Sequence, residues 1–268
     1  MTRALAAVGL LALLAACSST TTTTTSTAAQ ADSRDTAAAS DPASTERRAR
    51  VRLELAAAYF ARGQGTTALD EVKLALAAKP DFQEAFNLRG LIYGSLGEPR
   101  LAEESFQRAL QLGPRDADTM HNYGWFLCQQ RRFDDADAQF GAALAQPQYR
   151  DASRTLLAQG LCMARAGRWQ DAERVLLRSY ELDPGNPTTA FNLSEVLYRR
   201  GEYERARFYI KRVNSAQDLS NAQTLWLAAR IERRLGNLAG LQDFSRQLRD
   251  RFPQSAETLQ LEQGRFDE

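Results

Sequence analysis

Between Gln83 and Asp116 the small and apolar residues fall into two sets with helical spacing. Phe86, Gly90 and Tyr93 form the first set, and Ala102, Phe106 and Ala109 the second. Steps of three and four place each set on one face of a helix. Gly97, between the sets, supplies a turn, and Pro114 closes the second helix because it has no backbone donor to continue it. The stretch therefore predicts two amphipathic helices folded back on each other. Gly90 and Ala102 are small where the two helices cross closely, and Tyr93 and Phe106 fill the wedge on either side of that crossing.

The pattern repeats with a period of 34 residues. One period earlier stand Ala56, Tyr59, Gly63, Ala68, Val72, Ala75 and Pro80. One period later come Tyr123, Gly124, Leu127, Ala136, Phe140 and Ala143, with Pro147 one place early. After two extra residues around Gln148 and Tyr149 the frame resumes with Gly160, Met163, Gly167, Ala172, Leu176 and Pro184. A fifth round follows as Leu193, Leu197, Gly201, Ala206, Ile210 and Val213, with Ser194 in the glycine place and no closing proline. A degraded sixth contains Leu227, Ala228, Ile231, Gly236, Leu241, Leu248 and Pro253. The aromatic, Gly, Tyr, Ala-x3-Phe and Pro positions resemble the tetratricopeptide repeat (TPR), and in the 83–116 repeat only Arg89 departs from the pattern. The resemblance implies an all-α superhelical solenoid of six helix-turn-helix repeats over residues 49–254, in a domain covering 46–268. A single repeat cannot bury its apolar face alone, so stacking makes the core. The weak last repeat and the tail after Pro253 read as a cap.

The chain begins Met1-Thr2-Arg3, followed by Ala4–Ala16 without a charge, and then Cys17. One positive charge before a short apolar run reads as a secretory signal over 1–16, too short to span a bilayer as a helix. Leu14-Ala15-Ala16-Cys17 resembles the lipobox of bacterial lipoproteins, which implies lipidation of Cys17, with a plain signal peptide and a chance cysteine as the alternative. Ser18, in place of an aspartate that would favour inner-membrane retention, implies the outer membrane, periplasm-facing and lipid-anchored. Several acyl chains make such anchoring stable. Residues 17–45, rich in Ser, Thr and Ala with a run of six threonines, cannot bury enough apolar surface to order themselves and read as a tether averaging about 30 Å end to end.

Charge narrows the partners. The chain has 34 basic and 33 acidic residues; removing Arg3 with the signal leaves 33 against 33. No polybasic field for nucleic acid results. Arg47, Arg48, Arg50 and Arg52 cluster at the start of the first repeat, where they read as a solvated helix face.

Two cysteines remain beyond Cys17. Cys128 and Cys162 lie on the first helices of the third and fourth repeats, which pack side by side, in a compartment that is oxidising if the signal is read correctly. A disulfide is expected if the Cα atoms come within about 4.4–6.8 Å; otherwise the thiols are separate small hydrophobes. His121-Asn122-Tyr123-Gly124-Trp125-Phe126-Leu127-Cys128, followed by Gly160-Leu161-Cys162, resembles the Asn-Tyr-Gly-x-Phe-Leu-Cys and Gly-x-Cys segments of the type IV pilus biogenesis and stability lipoproteins, the PilF/PilW family. That resemblance implies a pilotin, which supports localisation or multimer assembly of the type IV pilus secretin and hence pilus biogenesis and twitching motility.

Catalytic chemistry is hard to assemble. His121 is the sole histidine and lies seven residues from Cys128, about 10 Å along a helix. Zinc lacks ligands once the thiols are bonded. Asp134, Asp135 and Asp137 could suggest a metal run, but they also fit the positive end of a helix dipole. No enzyme activity, metal or cofactor is expected beyond the lipid on Cys17. First-helix positions that face the concave side of such a solenoid carry Leu53, Ala57, Phe60, Asn87, Leu91, His121, Trp125, Leu157, Leu161, Phe191 and Tyr198, with Arg154, Arg165 and Arg199 between them. Aromatic and aliphatic residues where stacking does not need them suggest a groove for an apolar peptide or helix. The expected reading is a monomeric, non-enzymatic assembly factor whose groove binds the pilus secretin. The alternative is a TPR lipoprotein scaffold for another envelope machine, such as β-barrel insertion or cell-wall enzymes.

Overall fold

The computed structural model describes residues 42–266. The signal peptide, Cys17 and most of the tether lie outside the described residues. Thirteen helices occur among them, paired in order: α1 (Pro42–Ala61) with α2 (Gly65–Ala78), α3 (Gln83–Ser95) with α4 (Pro99–Leu112), and α5 (Ala117–Gln129) with α6 (Phe133–Leu144). They continue with α7 (Ala152–Arg165) and α8 (Trp169–Leu182), α9 (Pro187–Arg199) and α10 (Tyr203–Asn214), and α11 (Ala222–Arg234) and α12 (Leu238–Arg251). A short α13 (Ala256–Glu262) follows. The six hairpins of the all-α TPR solenoid are therefore present, and α13 packs against both helices of the last one. Helix α1 starts at Pro42, four residues inside the stretch read as tether. A proline at a first helical position is preorganised and wastes no donor, so helix can begin there.

Side-chain caps fix several of the helix starts. The Asp116 carboxylate accepts from the Thr119 amide at 2.8 Å at the start of α5, and Asn186 accepts from Thr188 and Thr189 at the start of α9. Asn221 and Thr224 cap each other reciprocally at α11. Such caps satisfy donors that the helix cannot, at about 1 kcal/mol each.

The hairpin crossings are as tight as the small residues require. A Cβ added at Gly90 would lie 2.7 Å from the Phe106 ring, at Gly124 2.9 Å from Phe140, and at Gly160 2.6 Å from Leu176. Ser194 fits the same place because its hydroxyl donates to the Ala206 carbonyl across the crossing, at 2.9 Å. Phe106, Phe140, Leu176 and Ile210, the large partners, are all buried.

The turns inside five hairpins use a glycine in the left-handed region: Gly63, Gly97, Gly167, Gly201 and Gly236, with φ between 70° and 78°. In the third hairpin the equivalent residue is Arg131, at φ 61°. A side chain there costs roughly 1–2 kcal/mol, part of which a glycine's unfolded-state entropy offsets. Arg131→Gly is expected to stabilise the protein by about 1 kcal/mol in urea denaturation; an unchanged or lower midpoint would show that the arginine side chain compensates.

From Gly201 to Gly236 the interval is 35 residues, one more than the repeat, so the loop between α10 and α11 shifts the sixth frame by one. The shift brings Trp226 and Arg230 into register with Phe191 and Glu195 of the preceding repeat.

Candidate groove and its repeat-spanning contacts

The first helices of successive repeats lie side by side and present their concave positions along one strip. Leu53, Phe60, Asn87, Leu91, Trp125, Leu157, Leu161 and Phe191 are half-buried there: each packs partly on its neighbours and leaves part of its surface open. Asn122 donates to the Asn87 side chain at 3.2 Å, which links two of these helices by their amides. Trp125 rests against the cluster containing Phe106, Phe126 and Phe140, and the Arg165 guanidinium of the next repeat lies 4.7 Å from its ring centroid. The strip thus combines an aromatic face, aliphatic neighbours and a cation held by the ring.

Two residues expected on the open groove are buried instead. His121, 6% exposed, places Nδ1 2.8 Å from Thr155 Oγ1, which also contacts the Tyr149 hydroxyl at 2.6 Å. The imidazole stands edge-on to Phe140. Burial, with the nearby Arg154 charge, lowers its pKa to about 4. The two extra residues around Gln148 and Tyr149 explain the difference, because they bring the Tyr149 hydroxyl to Thr155 beside the histidine. Tyr198 is buried as well, with the Arg230 guanidinium 4.5 Å from its ring. This arginine comes from the repeat whose frame is shifted, so the covering was not visible in the spacing.

Cys128 and Cys162 are joined by a disulfide with Cα atoms 5.8 Å apart, tying α5 to α7. The acidic run is dispersed. Asp134 pairs with Arg168, Asp135 with Arg132, and Asp137 accepts from Gln159. Arg50 and Arg52 pair with Glu46 and Glu71 on an exposed face, as solvated arginines do. Among the described residues no helix is long and apolar enough to cross a membrane.

Comparison with known proteins fits this geometry. Two models described as tetratricopeptide repeat match residues 87–136 and 124–187 in one case and 163–230 in the other. The crystal structure of PilW, a widely conserved type IV pilus biogenesis factor, superposes with a TM-score of 0.73 and 31% identity, covering 80% of this chain and 97% of that one. The chain belongs to the type IV pilus biogenesis family of TPR proteins. Within the family, the structure of PilF from Pseudomonas aeruginosa gives a TM-score of 0.70 at 25% identity, covering 82% of this chain and 99% of that one. The P. aeruginosa type IV pilus assembly protein PilF aligns over 205 residues at 26% identity, or 76% of this chain and 81% of the relative. YrrB, a TPR protein with an unusual peptide-binding site, shares the fold at a TM-score of 0.58 and 17% identity.

Proposed function

We propose that this protein is a non-enzymatic pilotin, lipid-anchored in the outer membrane through Cys17, whose groove binds the type IV pilus secretin and promotes its localisation and multimer assembly. Membership of the pilus biogenesis family supports the process. The strip of half-open Phe60, Leu91, Trp125, Leu157 and Leu161 is the observation that carries the binding role, because stacking is already secured by the glycine and alanine crossings. Apolar anchors of this kind supply most of the energy at an interface centre.

Trp125→Ala, in the full chain, tests the groove. Loss of secretin binding by about 2 kcal/mol, roughly thirtyfold, is expected in a pull-down titration, with the melting temperature kept. If the melting temperature falls in step with binding, Trp125 serves the core and the groove reading fails. Co-purification of the secretin from detergent extracts separates the pilotin role from a scaffold for another envelope machine. The anchor is tested by Cys17→Ala, which should leave a protein that no longer sediments with the outer membrane. Continued outer-membrane fractionation of an acylated mutant would refute the lipobox.

A further inference from the structure

The far end of the groove is already filled, and by the chain itself. After α13 the backbone turns at Gly264, with φ 68°, and brings Phe266 onto the concave positions of the sixth repeat. The Phe266 ring lies 4.9 Å, centroid to centroid, from the Trp226 indole. The Arg233 guanidinium covers the same ring at 4.2 Å. Arg230, itself 7% exposed, donates from Nε to the Phe266 carbonyl at 3.0 Å while its guanidinium stacks on Tyr198. One aromatic side chain and its own carbonyl are therefore read together, by an indole and two arginines from a single helix.

These contacts describe a ligand as well as a cap. A buried guanidinium that donates to a main-chain carbonyl recognises backbone, which any peptide offers. Trp226 and Arg233, both packed against the ring, select an aromatic side chain. In the sequence the resident residue is followed by Asp267 and Glu268, and two arginines beside a seat favour carboxylates next to the ring. A hollow of about 270 Å³ opens beside the seat, lined by Phe191, Glu195, Trp226, Arg230, Glu257 and Gln260. Its own carboxylates, Glu195 and Glu257, disfavour acidic residues of an incoming segment in the hollow, and Arg233, which is not part of its lining, is the cation left to receive them.

We propose that the groove over the fifth and sixth repeats is a second binding site, for a protein segment carrying an aromatic residue followed by acidic residues, and that Phe266 occupies it as an internal competitor. The proposal rests on the groove being the binding surface of this chain. It adds the chemistry of the segment and a mechanism of regulation: a partner enters by displacing Phe266, so its apparent affinity is reduced by the fraction of time the seat is taken.

The test uses the full chain in detergent and a fluorescein-labelled synthetic peptide with a central Phe-Asp-Glu. Fluorescence anisotropy should show Phe266→Ala binding this peptide about tenfold more tightly than the wild type, as expected when a competitor occupying the seat about nine-tenths of the time is removed. Changing the peptide's Phe to Ala, or adding Arg233→Glu to the Phe266→Ala chain, should abolish binding. The peptide should also raise the melting temperature of Phe266→Ala, which covers the case in which that variant loosens α13. Equal affinity of wild type and Phe266→Ala, indifference to Arg233→Glu, or no thermal shift would each overturn the proposal and leave Phe266 a cap alone. Trp125→Ala, in the third repeat, should leave peptide binding unchanged. Secretin binding that persists without any peptide binding would therefore remove this site and leave the pilotin reading standing.

Discussion

Removing the Cys128–Cys162 disulfide, by Cys128→Ser with Cys162→Ser, is expected to lower the unfolding free energy by about 3–4 kcal/mol. The bond closes a loop of 34 residues, and in the chain-entropy model its loss frees the unfolded chain by that amount. The native cost is separate and smaller. Both cysteines are buried among Tyr123, Phe126 and Ala158, so two hydroxyls must find partners or remain unsatisfied. A Cys128→Ala, Cys162→Ala pair removes the hydroxyl effect and isolates the chain-entropy part. The decisive measurement is guanidinium denaturation of the purified chain with and without reductant. A midpoint that does not move on reduction would mean that the fold of these two repeats holds without the bond.

The second large effect is on pH dependence and comes from His121. Its folded pKa is about 4, against about 6.5 in an unfolded chain. Between those values the unfolded chain binds a proton that the folded chain refuses, so stability rises with pH in this window. The contribution is complete above about pH 6.5, is lost as the pH falls towards 4, and amounts to about 3 kcal/mol. Arg154 reinforces the refusal of the proton, and Asp151 opposes it weakly. Denaturation at pH 7 and pH 4.5 should therefore show a large loss in the wild type and a smaller one in His121→Gln, since glutamine does not titrate. The difference between the two slopes isolates the histidine from the carboxylates, such as Glu103, whose pKa is lowered by Tyr123 and Arg132 despite the opposing effect of burial. Equal slopes would mean that the folded imidazole accepts its proton near the ordinary range.

The solenoid itself was legible because its signals are steric and periodic. Gly90, Gly124 and Gly160 are required by rings and a leucine within 3 Å of where their Cβ would lie, and that requirement recurs with the repeat, lengthened by two residues before Gly160. The groove was legible only in part. Leu91, Trp125 and Leu161 follow from their repeat positions, but burial of His121 and Tyr198 depends on side chains arriving from loops and frames that the period does not describe. Tyr149 belongs to a two-residue insertion, and Arg230 to a repeat shifted by one. Phe266 lies beyond the last repeat, where the period says nothing, whereas Trp226 and Arg233 were missed for the same reason as Arg230. The signal that would have found them is the interval from Gly201 to Gly236, which places Trp226 on the groove once the extra residue is counted. Arg131 in a glycine place was equally readable in the frame, although its φ was not.

The charged contacts between successive repeats are not evenly placed. Arg132 with Glu103, Arg168 with Asp134, Arg200 with Glu173 and Arg207 with Glu232 all join neighbours along the edge that carries the intra-hairpin turns. On the opposite edge each contact has at most one charged partner: Gln83 donates to Asp116 and Thr119, Asn214 to the Thr224 carbonyl, and Arg251 to Ser220 and the Gln217 carbonyl. Dissolved salt screens the first set far more than the second. Higher ionic strength is therefore expected to weaken the contacts along the turn edge more than those along the opposite edge.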